Sequence, residues 1–231
     1  KKIAPAMMLF STPATSTEKT LIMAFPPRGV RHFTVPNAVL LQHIDAEQYD
    51  VLLVAAQDYQ FGSLPFGKKL KQQIEWFKHQ SWIKQYKQIR TLGYSAGSFP
   101  AIATAYALNA ELALSLAGRF HKPKHALINI DKLVISPWVL SQGHCKNVLL
   151  TYSIDNGRDS WFGQVAARLF NGKPMPIEIK TEKLPHLSLR RLVERAELAS
   201  YLTKTLFSDV GQLDKKAKQV LSFPLVDKPK Q

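Results

Sequence analysis

Cysteine is almost missing from this chain, with Cys145 the single example in 231 residues. One thiol closes no internal disulfide and offers no cysteine-based metal cluster, which excludes a disulfide scaffold and fits a reducing compartment. Acidic side chains are also sparse, 17 Asp and Glu against 31 Lys and Arg. The formal charge of +14 says nothing of fold, but it raises the local concentration of anionic partners. The basic residues are dispersed in short groups (Lys68, Lys69, Lys71; Lys122, Lys124; Arg190, Arg191; Lys215, Lys216, Lys218). No aromatic-basic motif or zinc-finger spacing accompanies them, so the pattern reads as a solvated basic surface rather than a specific nucleic-acid interface. Long apolar runs are lacking too: none reaches the ~18 residues of a membrane-spanning helix, and the opening residues show no secretory-signal series. The expectation is a soluble, cytoplasmic protein that uses neither metal nor organic cofactor.

Apolar residues make up 45% of the chain, enough to fill one core at this length, and no internal repeat or low-complexity tract divides it. Residues 1–231 are therefore expected to form a single domain. Buried-strand runs alternate with segments of helical period, the pattern of a mainly parallel sheet of at least six strands with helices on both faces. The expected strands are Leu21–Phe25, Val51–Ala56, Ile89–Gly93, Leu112–Leu116, Val148–Ser153 and Ile177–Thr181. The expected helices are Asn37–Ile44, Lys68–Tyr86, Gly97–Asn109, Ser160–Phe170 and Ser188–Phe207. In Lys68–Tyr86 the apolar Leu70, Ile74, Phe77 and Ile83 share one face among lysines and glutamines, as on a surface helix packed against a sheet. Residues 1–19 read as an N-terminal arm, 118–146 as a minimal lid and 213–231 as a basic C-terminal tail.

Between the third expected strand and the third helix lies Gly93-Tyr94-Ser95-Ala96-Gly97. A Gly-x-Ser-x-Gly turn acquires chemical meaning in this setting, because strand and helix backbones must pass closely on either side of a strained serine. Ser95 then stands at the carboxyl edge of the sheet, beside a helix N-terminus that favours developing negative charge. A serine hydroxyl needs a base to take its proton and a carboxylate to orient that base. With the chain order Ser, Asp or Glu, then His, the base falls on His186, which follows the last expected strand, whereas His121, His125 and His144 precede the acid. Two carboxylates compete on one loop. Counting from the strand selects Asp155; counting back from the helix selects Asp159, which is also placed to be that helix's N-cap. Asp155 in turn belongs to Asp-Asn-Gly, a common turn sequence.

These motifs resemble the α/β-hydrolase superfamily over about residues 20 to 207. The resemblance implies the α/β-hydrolase fold, Ser95 as nucleophile, His186 as base, Asp159 or Asp155 as acid, and the Ala96 backbone N–H as first oxyanion donor. It places the second donor on Leu21–Gly29, where this chain departs from the usual His-Gly-Gly loop. Pro26 and Pro27 have no N–H to give, which leaves the Phe25 N–H, the Arg28 N–H or the Arg28 guanidinium. Tyr59, Phe61 and Tyr94 are the expected substrate-contacting residues. The short elbow and minimal lid are similar to those of small serine hydrolases found among proteins that make or modify bacterial surface polysaccharides. The implied activity is that of a serine esterase or carbohydrate deacetylase on a small or glycan-linked acyl ester, anionic to suit the charge. A catalytically idle binding or assembly protein and an acyltransferase or thioesterase are the competing readings.

Overall fold

The computed structural model describes residues 2–4, 7–12, 16–27, 33–54, 66–118, 120, 135–179, 189–194, 197–209 and 221–223. In chain order these form β1 (Lys2–Ala4), β2 (Met7–Phe10), β3 (Thr20–Phe25), α1 (Asn37–Leu41), β4 (Tyr49–Val54), α2 (Phe66–Lys78), β5 (Gln88–Tyr94) and α3 (Ser98–Ala107). There follow β6 (Leu112–Leu116), α4 (Ile135–Leu140), β7 (Asn147–Ser153), α5 (Gly157–Leu169), β8 (Lys173–Ile179), α6 (Leu189–Glu194), α7 (Leu198–Lys204) and β9 (Leu221–Phe223). The strands make one sheet in the order β1-β2-β4-β3-β5-β6-β7-β8-β9. From β4 to β9 every pairing is parallel; β2 runs antiparallel to β4 and β1 antiparallel to β2.

Near-continuous apolar runs form these strands because both faces of the sheet are covered. Ile22, Ala24, Val51, Leu53, Leu92, Leu114 and Leu149 pack on one side with Leu40 of α1, Leu192 of α6 and Tyr201 of α7. The alternate residues face the other side: Leu21, Met23, Leu52 and Val54 meet Phe77 of α2 and Ala101 of α3, while Ala113, Val148 and Leu150 meet Ile102 of α3 and Phe162 of α5. Among the described residues no helix is long and apolar enough to cross a membrane.

Two segments differ from the sequence expectation of free arms. Within residues 1–19, Met7–Phe10 pairs with Val51–Val54, and Lys2–Ala4 extends the sheet beyond it. Downstream, Leu221–Phe223 adds a parallel strand against Ile177–Ile179. Of the expected lid 118–146, Ile135–Leu140 is helical and packs on α3, burying Val139; residues 119 and 121–134 lie outside the described set.

Lys19, also in the expected arm, is buried at 1% exposure. Its ammonium donates to Thr12 Oγ1, to the Ala46 carbonyl at 2.8 Å and to Asp50 Oδ1 at 3.2 Å, and Tyr86 donates its hydroxyl to Asp50 Oδ2 at 2.7 Å. Burial, then the bond to this carboxylate, holds the Tyr86 phenol well above its ordinary pKa. Removing one member of a buried pair strands the other charge. Lys19→Met is accordingly expected to cost about 3–5 kcal/mol, read from urea unfolding; a loss within the error of the measurement would show that the pair carries no stability.

The strand order reverses at β3. The chain leaves β3 toward β4 through α1 on one face, and leaves β5 toward β6 through α3 on the opposite face. Open parallel sheets form their ligand crevice at such a switch point, outside the carboxyl ends of the two strands. Phe25 and Tyr94 are the last residues of those strands, which puts the Phe25-Pro26 peptide and Ser95 on the two banks of the crevice.

Candidate active site

β5 passes into α3 through a single turn of 3₁₀ helix, Ser95–Gly97. Within it Ser95 has φ +51°, the left-handed region that a non-glycine residue enters at a cost of about 1–3 kcal/mol. Both flanking glycines are required by contact. A Cβ on Gly93 would lie 2.5 Å from the Ser98 Cα and 2.6 Å from the Gly97 carbonyl oxygen. One on Gly97 would lie 2.2 Å from the Phe25 carbonyl oxygen and 2.5 Å from that of Pro26. The obstructing atoms are backbone and have nowhere to move. The strand and helix are further tied by the Ser98 hydroxyl donating to the Gly93 carbonyl and the Thr91 hydroxyl to that of Ala101, each at 3.1 Å.

These contacts predict that Gly97→Ala loses about 3 kcal/mol, whereas Gly157→Ala, where an added Cβ meets nothing within 4 Å, leaves the melting temperature unchanged or raised. Equal melting temperatures for wild type and Gly97→Ala would contradict the close approach of β3 to the turn.

Ser95 retains 8% exposure at the amino end of α3, and Ala96 follows it. Phe25 stands in register with Gly93, so the end of β3 borders the turn directly. Pro26 is buried and Pro27 half-buried, and neither carries an N–H. Tyr94 is 4% exposed and belongs to the core cluster that also holds Leu92, Leu116 and Ala117.

The loop that carries the two candidate carboxylates follows β7. Asp155 is exposed, whereas Asp159 is 2% exposed in the first turn of α5. The N-cap is Asn156: its side-chain oxygen accepts from the backbone N–H of Arg158 at 3.1 Å and of Asp159 at 3.0 Å. The helix thus begins at Gly157, before the expected Ser160, and Asp159 is relieved of the capping role that the sequence allowed it. The signal was present in the sequence as Asn three residues ahead of Asp, a capping pattern. Ser153, the last residue of β7, buries its hydroxyl oxygen without a hydrogen-bond partner among the described residues. His186, Arg28, Tyr59 and Phe61 lie outside the described residues.

Cys145 is no rival nucleophile, since burial pushes its thiol up to about 12 and Sγ donates to the Asn147 carbonyl at 3.1 Å. Burial likewise pushes the Tyr106 phenol up to about 12. Because the native state holds these protons more tightly than the unfolded chain, their contribution to stability is complete below the unfolded values and lost as pH rises through about 12. Unfolding by urea is expected to become easier from about pH 9 upward; a midpoint that stays level through that window would count against native burial of these groups.

A mainly parallel sheet clothed on both faces, with a serine in left-handed conformation at its switch point, defines the α/β-hydrolase fold, and the chain has that fold. No family model matches it, and no curated protein does. Among solved structures it is similar to esterase B from Lactobacillus rhamnosis with a tributyrin phosphonate inhibitor (12% identity, 93% of this chain and 84% of that one, TM-score 0.53). It is similar also to MenH from Staphylococcus aureus (9% identity, 92% and 99%, TM-score 0.55) and to the enterobactin esterase of Shigella flexneri (13% identity, 88% and 56%, TM-score 0.51).

Proposed function

We propose that the chain is a serine hydrolase that cleaves a carboxylic ester through an acyl-enzyme. Ser95 Oγ attacks the ester carbonyl while His186 takes its proton. Asp159 orients the imidazole and stabilises its positive form, and the proton passes on to the departing alkoxide. The Ala96 N–H and a donor from Phe25 or Arg28 hold the oxyanion, and water then releases the acid by the same steps in reverse order of groups. The observation that carries this reading is the left-handed Ser95 at the switch point, held there by two glycines whose replacement the backbone forbids. The similar structures named as esterases contribute the fold, and fold alone assigns no activity. A carbohydrate-linked acyl group is the substrate class that suits the formal charge of +14, acidic glycans being drawn to such a surface.

Of the two aspartates, Asp159 is the better supported acid because it is buried and its helix is capped by another residue. A fluorophosphonate probe tests the nucleophile: the native protein labels at Ser95, and short-chain p-nitrophenyl esters are turned over. A second reading, a catalytically idle binding protein, draws support from Pro26-Pro27, which removes two N–H groups from the oxyanion side. Folded protein that neither labels nor turns over any ester would favour it. Acyl transfer to an alcohol, or thioester cleavage, uses the same residues and is separated by offering those acceptors and substrates in the same assay.

A further inference from the structure

At the sheet edge opposite Ser95, a cavity of about 450 Å³ opens between the 3₁₀ turn Ile83–Gln85, the start of β5 and the end of α3. Its apolar lining comes from Ile83, Ile89 and Leu108, and its charged wall from Lys78, Lys84 and Lys87. The volume lies in the range of small-molecule sites.

The charge here is compensated only in part. Lys78 is shared between Glu75 Oε1 at 3.2 Å and Gln142 Oε1 at 3.1 Å, but exposed Lys84 and Lys87 have no carboxylate partner among the described residues. Two carboxylates beneath this edge are committed elsewhere. Asp50 is held by Lys19 and Tyr86. Glu111 receives two bonds from the Arg90 guanidinium, at 3.1 and 2.9 Å, and one from the Gln88 amide at 3.2 Å. Asp50 and Glu111 are thus taken up by Lys19, Tyr86, Arg90 and Gln88, and Lys84 and Lys87 line the cavity without a carboxylate bound to them among the described residues.

We propose that this cavity binds a small organic polyanion, an apolar body bearing two or three acid groups. The carboxyl end of α3, at Ala107, disfavours anions. The acid groups consequently lie against Lys84 and Lys87, and the apolar body lies over the partly exposed Ile89 and Leu108. A nucleic-acid strand is the weaker match, because the cavity's aromatic ring, Tyr86, has its hydroxyl bound to Asp50 and among the described residues no second aromatic lines the space to stack a following base.

The test titrates the full chain with naphthalene trisulfonate and, separately, with inorganic tripolyphosphate at near-physiological salt. Saturable one-to-one binding of the sulfonate is expected, tighter than that of tripolyphosphate, which lacks the apolar body. Lys84→Gln/Lys87→Gln is expected to weaken it at least ~10-fold, while Lys71→Gln/Lys204→Gln, with the same loss of charge, leaves it unchanged. Ser95→Ala should bind as wild type, which separates this site from the proposed ester chemistry. No saturable binding, or equal weakening by both lysine pairs, would overturn the proposal in favour of diffuse surface charge.

Discussion

Ser95→Ala is expected to lower kcat on any ester the protein turns over by about 10⁴-fold or more, with the folded state retained. The substitution removes one oxygen and leaves the Cβ, so the left-handed backbone at φ +51° and the packing of Gly97 against the Phe25 carbonyl are unchanged. Any change in unfolding free energy should stay within about 1 kcal/mol. Residual turnover would come from the Ala96 N–H and from binding alone, since members of such a unit act together and the loss of one forfeits most of the effect. The measurement is a pair: ester turnover with fluorophosphonate labelling on one hand, a thermal melt on the other. Turnover unchanged in a well-folded variant would remove Ser95 from the chemistry. Loss of turnover with a collapsed melt would leave the question to Ser95→Cys, which keeps a nucleophilic atom at the same point and should retain labelling by a thiol-reactive acyl donor.

The same locality explains why the serine turn was legible in the sequence. Its requirements are steric and are met by the residue types at five consecutive positions, Gly93 to Gly97, even though the atoms that impose them include the distant Phe25 and Pro26. The strands β3, β5, β6 and β7 were legible for a related reason, since parallel strands covered on both faces must be continuous apolar runs. β8 was half hidden. Pro174 and Pro176 argue against a central strand, yet they lie within Lys173–Ile179. Ile177 accepts from the Ile154 N–H of the chain leaving β7, so the odd-numbered residues bond toward β7 and the prolines turn their nitrogens the other way. On that side β9 pairs only from Ile177 onward, and the missing donors fall where no ladder bond is due. The expected single helix Ser188–Phe207 is instead α6 and α7, divided where the Glu197 N–H bonds back five residues to the Leu192 carbonyl at 2.8 Å. No proline or glycine marks that break, so periodicity ran through it. β1 and β2 are only three and four residues long, too short to show a period, and the partner of β2, Val51–Val54, lies more than forty residues away.

The candidate acid was ambiguous in sequence because burial, which distinguishes Asp155 from Asp159, depends on where α5 begins, and that depends on which side chain caps it. With Asn156 as the cap, the loop sends Asp155 into solvent and Asp159 beneath the first turn. Asp159→Asn is therefore expected to reduce kcat by about 10⁴-fold with KM little changed, because an amide keeps the shape but no longer favours the imidazole tautomer that accepts the serine proton. Asp155→Asn, an isosteric change at an exposed turn position, is expected to leave kcat within about twofold of wild type. The comparison controls for itself, as both substitutions remove one negative charge from the same loop and any long-range effect on the basic surface is shared. Structural damage is monitored by the melt, where Asn156→Ala should cost about 1 kcal/mol through loss of the cap, with turnover falling only as far as α5 is displaced. The reverse ranking, a silent Asp159→Asn beside an inactive Asp155→Asn, would transfer the orienting role to the exposed carboxylate. It would also mean that Asp159 is buried for the sake of the helix rather than of the chemistry.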